Sequence, residues 1–233
     1  MTHHPATYSK ELFEPIRDLI KEVLPGDWPY YERAYDPMAG TGKLAEILEP
    51  LGIGYVGCEL EREWATMDAR TIWDDCCQVT QRFRLIVCSP PYGNRMADNY
   101  LGTPIERALR AETGKMPRRR SYAISLGRRP SLENAGALHW GTTYRDMMTS
   151  IWTHVVNVNL AHGGHFILNV ASHYRANDYQ PVAEWHIDAM LELGLVEMKR
   201  LWIETPGYRD GDNKTTDEAH RDGGEWLVLF RKP

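Results

Sequence analysis

No apolar run in the sequence approaches the ~20 residues of a membrane span, so no membrane partner is expected. The first ten residues lack the basic-then-apolar pattern of a signal peptide, and a cytoplasmic location, in a bacterium or a phage-infected host, is the expectation. Only four cysteines occur, Cys58, Cys76, Cys77 and Cys88, and they are not spaced as paired CxxC knuckles. That argues against a structural zinc site, and vicinal Cys76-Cys77 reads as reduced thiols rather than a redox pair. Nine histidines show no HExxH spacing, so no metal is expected. Internal repeats are absent, as is any linker dividing two full domains. Residues 1–233 therefore read as a single domain.

What is present is globular: 42% apolar and 25% charged residues. The net charge of −5 is unevenly spread. Residues 93–142 hold nine Lys/Arg and four acids, leaving 18 basic and 28 acidic residues elsewhere. An acidic body with a basic insert points to a localised polyanion contact.

Short apolar runs alternate with helical patterns, the signature of an α/β protein. Residues 9–24 form an amphipathic helix on Leu12, Ile16, Leu19, Ile20 and Val23, with Ser9 as N-cap. Strands are expected near 33–35, at 54–58 ending on Glu59, weakly before Asp74, and at 83–88, 165–170, 195–203 and 226–230. A helix is expected over 144–161 on Met147, Ile151, Val155 and Val158, stopped by Gly163-Gly164. A further helix is expected near 181–193, and Trp140, Trp152, Trp185 and Trp202 are expected in the core. The last two strands, joined by a loop at 204–224 without a helix, should pair antiparallel. The fold class is thus a Rossmann-like, seven-stranded, mostly parallel sheet with an antiparallel last strand and helices on both faces.

Asp36-Pro37-Met38-Ala39-Gly40-Thr41-Gly42 joins a strand to a helix. Two glycines permit a tight turn and close backbone approach to a ligand. Glu59 at the end of the next strand is placed to accept both hydroxyls of a ribose. This pairing fits any adenosine-built cofactor, and Gly40 to Ala45 also satisfies G-x-G-x-x-A, so a nicotinamide or flavin enzyme stays open. A phosphate-binding P-loop is excluded, because Leu44 follows Lys43 and Pro37 holds the place of the earlier glycine.

Ser89-Pro90-Pro91-Tyr92 follows the most apolar strand. Two prolines end the ladder and preset a rigid backbone whose carbonyls can accept hydrogen bonds. Ligands of open α/β sheets gather at the carboxyl ends of the strands, where both motifs lie. One site would hold an adenosine cofactor, the other a planar group donating from an amine.

Together these motifs resemble the S-adenosylmethionine-dependent DNA amino-methyltransferases, and the chain is similar to small DNA methylases of bacteriophages and actinobacteria. The likeness covers roughly residues 4–92 and 143–231. It implies that Asp36 and Ala39, Gly40, Thr41 and Gly42 hold the methionine part of S-adenosylmethionine, with Met38 where many relatives have Phe. It implies Glu59 on the ribose and Asp75, or Asp74, on the adenine amine. Thr7, Tyr8 and Ser9 resemble the segment closing over the methionine end. Ser89, Pro90, Pro91 and Tyr92 become the catalytic unit, with Tyr92 stacking on a flipped base of duplex DNA. Ser at the first motif position leans toward cytosine N4 over adenine N6. RNA, or a protein glutamine amide, presents the same planar amine and stays an alternative. Cytosine C5 methylation would need a cysteine nucleophile, and Cys88 is expected to point into the core.

In the insert, Arg95 and Arg118-Arg119-Arg120, with Tyr122 and Arg128-Arg129, resemble a phosphate-contacting arm. The loop at 204–224 would meet the other side of the DNA. No large target-recognition domain is present, so recognition is short, loose or shared with a second subunit, and a homodimer stays open.

Overall fold

The computed structural model describes residues 8–24, 33–93, 97, 121–175, 178–205 and 223–233. Its strands are β1 (Arg33–Asp36), β2 (Gly54–Glu59), β3 (Thr71–Trp73), β4 (Phe83–Cys88), β5 (Leu160–Val170), the short pair β6 (His173–Arg175) and β7 (Asp178–Gln180), β8 (Val196–Glu204) and β9 (Gly224–Arg231). The helices are α1 (Phe13–Val23), α2 (Leu44–Leu48), α3 (Arg62–Ala65), α4 (Tyr122–Leu126), α5 (Thr142–His154) and α6 (Val182–Glu192). Seven strands form one sheet in the order β3-β2-β1-β4-β5-β9-β8. β1, β2, β3, β4 and β5 run parallel, and β9 lies antiparallel to both β5 and β8. The expected sheet is therefore present, including the antiparallel final pair.

Both faces of the central strands β4, β5 and β9 are buried, which is why these read as nearly unbroken apolar runs. Side chains alternate between two cores. Ile86 and Cys88 of β4, Phe166 and Leu168 of β5, and Val228 and Phe230 of β9 join Trp152 and Met148 of α5. Their neighbours Leu85, Val87, Ile167, Leu227 and Leu229 join Ile16, Leu19 and Ile20 of α1 and Leu44, Ile47 and Leu48 of α2. Each such aliphatic side chain is worth roughly 1.5–3 kcal/mol when fully buried. The outer strand β8 instead exposes Lys199 and Arg200, charges that discourage edge-to-edge pairing.

Several details differ from expectation. Ser9 precedes a single 3₁₀ turn (Lys10–Leu12) and makes no capping hydrogen bond with its side chain. Tyr144, Met148, Ile151 and Trp152 form the buried stripe of α5 and Val155 continues it into the next turn, while Met147 and Val158 are only half-buried. The two bulky rings claim the core and rotate the stripe. α5 does not run to Ala161. It passes into a π-helical turn (Val155–Asn159), and β5 starts at Leu160. Gly163-Gly164 is consequently no helix stop. Gly163, with φ of 71°, sits inside the strand, where its N–H donates to Lys232 O and Gly164 O accepts from Lys232 N, both at 2.9 Å. The register between β4 and β5 shifts near this point, so the glycines accommodate a bulge. Trp152 is fully buried and Trp140 and Trp185 pack partly against the core, but Trp202 is 38% exposed, edge-on to Trp226. The β6–β7 pair carries no alternating pattern long enough to be expected. Among the described residues, no helix is long and apolar enough to cross a membrane.

Candidate active site

A cavity opens along the carboxyl ends of β1, β2, β3 and β4. The turn after β1 is braced from behind by Asp36, whose Oδ1 accepts from Met38 N at 3.0 Å. Gly40 and Gly42 have φ of 54° and 78°, the left-handed region that favours glycine. Ala39 N donates to Cys58 O at 2.9 Å, stitching the turn onto β2. Gly57 makes that approach possible, since a Cβ there would lie 2.7 Å from Ala39 Cβ.

Glu59 ties the two segments together. Its Oε2 accepts from Gly40 N at 2.9 Å and its Oε1 from Glu61 N at 2.8 Å. Burial pushes the Glu59 carboxyl up to about 8, against the pull of those two N–H bonds. Burial likewise pushes Asp36 up to about 7, opposed by the Met38 N–H. Asp75 caps a short 3₁₀ turn after β3, accepting from Cys77 N at 2.8 Å.

Of the residues expected to hold a cofactor, Tyr8, Met38, Ala39, Gly40, Thr41, Glu59 and Asp75 line this cavity, as does Asp74. Asp36 and Gly42 shape the turn without lining it. The buried Tyr8 hydroxyl has no hydrogen-bond partner among the described residues.

Ser89, Pro90, Pro91 and Tyr92 line the same cavity, so both motifs face one space. Ser89 Oγ and Tyr92 Oη are 3.1 Å apart, and Tyr92 Oη donates to Glu225 Oε2 at 3.0 Å. A buried relay braces the prolines from below. Trp152 Nε1 donates to His186 Nδ1 at 2.8 Å, which makes Nδ1 the acceptor. His186 Nε2 then carries the proton and donates to Tyr144 Oη at 2.9 Å, and Tyr144 donates to the Pro91 carbonyl. Burial holds His186 down to about 3, so the relay keeps this direction at neutral pH. Tyr144→Phe removes the donor to Pro91 and should cost about 1–2 kcal/mol by thermal melting. Cofactor affinity should stay unchanged by calorimetry, because Tyr144 does not line the cavity.

Cys88 is fully buried and its thiol is pushed well above the ordinary range by burial and by the nearby Asp36 charge. It has no character of a nucleophile.

Part of the wall comes from the insert. Tyr122 and residues 133–136 also line the cavity. Tyr122 is buried and packs edge-on against Trp64, with ring centres 5.6 Å apart. Arg128 donates to Glu61 Oε2 at 2.7 Å and to both oxygens of Glu63. Tyr122 thus packs within the fold, and Arg128 is ion-paired within it while staying partly exposed. Trp64, Asn134 and Glu225, which line the cavity, and Glu61, which anchors Asn134, were not expected at the site. They share no local spacing with either motif, and only the fold brings them in. Thr7, Arg95, Arg118, Arg119, Arg120 and most of the 204–224 loop lie outside the described residues.

No protein-family model matches the chain, and a search of curated proteins finds no match. Solved structures do resemble it. A magnesium protoporphyrin IX methyltransferase from Synechocystis PCC 6803 with bound SAM superposes with a TM-score of 0.51 at 11% identity, over 95% of this chain and 79% of that one. A S-adenosylmethionine-dependent methyltransferase from Clostridium acetobutylicum gives 0.50 at 12% identity, over 98% and 94%. A SAM-dependent methyltransferase from Leishmania major gives 0.51 at 12%, over 95% and 72%. The chain has the Rossmann-like methyltransferase fold.

Proposed function

We propose that this protein transfers a methyl group from S-adenosylmethionine to an exocyclic amine of a flipped DNA base, with cytosine N4 favoured over adenine N6. The observation that carries the reading is the shared cavity: the glycine turn with Glu59 at one end, Ser89-Pro90-Pro91-Tyr92 at the other.

The lining suits this cofactor. Asp74, Asp75, Glu133 and Glu225 face the cavity, joined by Glu59 once it ionises, against Lys43 as the one basic lining residue among those described. Such a surface favours a cationic ligand and repels a pyrophosphate. The Gly40 N–H, which a dinucleotide's phosphates would seek, is already held by the Glu59 carboxylate. A nicotinamide or flavin cofactor is therefore disfavoured. Glu59 and Asp75 would take the ribose and adenine, and Tyr8 offers an unpartnered hydroxyl.

When bound, the cofactor supplies an activated methyl. The chain's own work is to present the amine. Its lone pair is delocalised into the base, and N–H bonds to Ser89 Oγ and the Pro90 carbonyl favour a pyramidal nitrogen that can attack in line. Positioning and fixed dipoles carry this catalysis. Arg95 and Arg118–Arg120 are assigned to DNA phosphates on their sequence alone.

The test is incubation with methyl-labelled S-adenosylmethionine and unmethylated duplex DNA, followed by digestion to nucleosides and mass spectrometry. RNA and a glutamine-bearing peptide run in parallel. Label on cytosine N4 or adenine N6 is the expected result. Label confined to RNA or peptide overturns the DNA assignment, and no label with the cofactor bound overturns amine methylation.

A further inference from the structure

Glu225 lies at the start of β9, one residue beyond the pairing of Trp226 with Val170 at the end of β5. Because β9 is antiparallel, this residue reaches the carboxyl edge of the sheet and lines the cavity, only 3% exposed. The hydrogen bonds that link Ser89, Tyr92 and Glu225 have one consistent direction. A phenol carries one proton, and that of Tyr92 goes to Glu225 Oε2. Tyr92 Oη is then an acceptor toward Ser89, and the one proton of Ser89 points at Tyr92 across 3.1 Å. Only lone pairs of Ser89 Oγ remain for the cavity. A serine ordered in this way accepts from an amine as an amide or carboxylate oxygen would.

We propose that Glu225 is a positioning residue that sets this order and receives, through Tyr92 and Ser89, the proton an amine must lose on methylation. The inference rests on the amine-methylation reading above. The nitrogen lone pair forms the new N–C bond while the methyl's C–S bond breaks, its electron pair staying on sulfur. The nitrogen is then cationic. Its N–H bond breaks and that proton passes to Ser89 Oγ, the Ser89 proton passes to Tyr92 Oη, and the Tyr92 proton passes to Glu225 Oε2. One positive charge on sulfur and one negative charge on Glu225 are replaced by a neutral thioether, a neutral methylamine and a protonated carboxyl. Glu225 gives its proton to solvent once the product leaves.

Glu225→Gln keeps an oxygen for Tyr92 to bond but cannot take up a proton. The single-turnover rate at saturating cofactor should fall about 100-fold or more, the scale of a lost proton acceptor, while substrate KM stays within about twofold. Glu225→Asp should recover part of the rate. Tyr92→Phe should lose a similar factor, and the Tyr92→Phe/Glu225→Gln double variant should be no slower than the worse single one, because members of one relay fail together. Infrared difference spectra of the wild type after one turnover should show a protonated-carboxyl band that Glu225→Gln lacks. Wild-type transfer rates in Glu225→Gln, or losses that multiply in the double variant, overturn the relay. If Glu225→Gln fails to fold, the Tyr92→Phe rate and the wild-type infrared band decide. A wild type that methylates no amine removes the underlying reading instead.

Discussion

Replacing Glu61 by alanine should lower stability by about 3 kcal/mol and weaken the cofactor site at the same time. Its side chain is fully buried and accepts from Ser131 N at 2.7 Å, Ser131 Oγ at 3.3 Å, Asn134 Nδ2 at 2.9 Å and Arg128 Nη2 at 2.7 Å. Alanine leaves all of these donors without that partner. The cost of breaking a fully buried pair is ~3–5 kcal/mol, but the Arg128 side chain is 43% exposed and keeps Glu63, so the lower end applies. For a domain of this size, 3 kcal/mol is roughly 6–12 °C of Tm. The larger consequence is local. Asn134, its Oδ1 accepting from Gly136 N at 2.8 Å, shapes a turn that lines the cavity. Without Glu61 that wall loses its anchor, so limited proteolysis should cut within 121–142 and cofactor affinity should fall. Glu61→Gln, which keeps an acceptor but loses the charge, should lie between. An unchanged Tm together with unchanged protease resistance would show that the segment is held by other contacts.

The Arg128–Glu61 pair also explains where sequence reading succeeded and where it failed. Strands such as Phe83–Cys88 and the second half of β5 were legible because two-sided burial leaves nearly unbroken apolar runs, whereas the short, exposed β3 was only weakly marked. The glycine turn and Ser-Pro-Pro-Tyr were legible because each packs its conformational requirement into a few consecutive residues. Counting charge over the insert treats every arginine as facing solvent, which Arg128 does only in part. The acid that captures Arg128 stands 67 positions away in the chain, and no local pattern marks it. The packing of Tyr122 is hidden for the same reason, since its partner Trp64 belongs to α3. Glu225 reads as the polar edge of the Trp226–Phe230 run, and only the antiparallel register carries it into the site. The π-helical turn after α5 replaced a glycine stop because β5 begins before the glycines and carries them as a bulge.

Glu59 should make cofactor binding depend on pH, and its loss should have the largest effect on affinity. Folding raises the Glu59 carboxyl to about 8 and Asp36 to about 7, both chiefly by burial. The folded protein therefore holds protons that the unfolded chain has released by pH 6.5, and its stability falls as pH rises through these values. His186 acts in the opposite sense: held down to about 3 by burial, it takes stability away as pH drops below the ordinary histidine range. Between pH 6.5 and 8 the two carboxyls dominate, and the free protein should lose about 2 kcal/mol. A cationic ligand with ribose hydroxyls favours the ionised carboxylates, so binding should expel a proton. Calorimetry at pH 7 in two buffers of different ionisation enthalpy should give different heats, and affinity should rise with pH by up to tenfold per unit below 8. Glu59→Gln should weaken binding about 100-fold or more, flatten the Tm profile above pH 6.5, and reduce the proton release. The difference between the two proteins isolates the proton held by the chain from any lost by the ligand's own amine. Equal heats in both buffers, or a Tm that climbs from pH 6.5 to 8, would mean that Glu59 is already ionised in the free protein. The two N–H bonds from Gly40 and Glu61 would then outweigh its burial, and the carboxylate would act as a fixed charge rather than a titrating one.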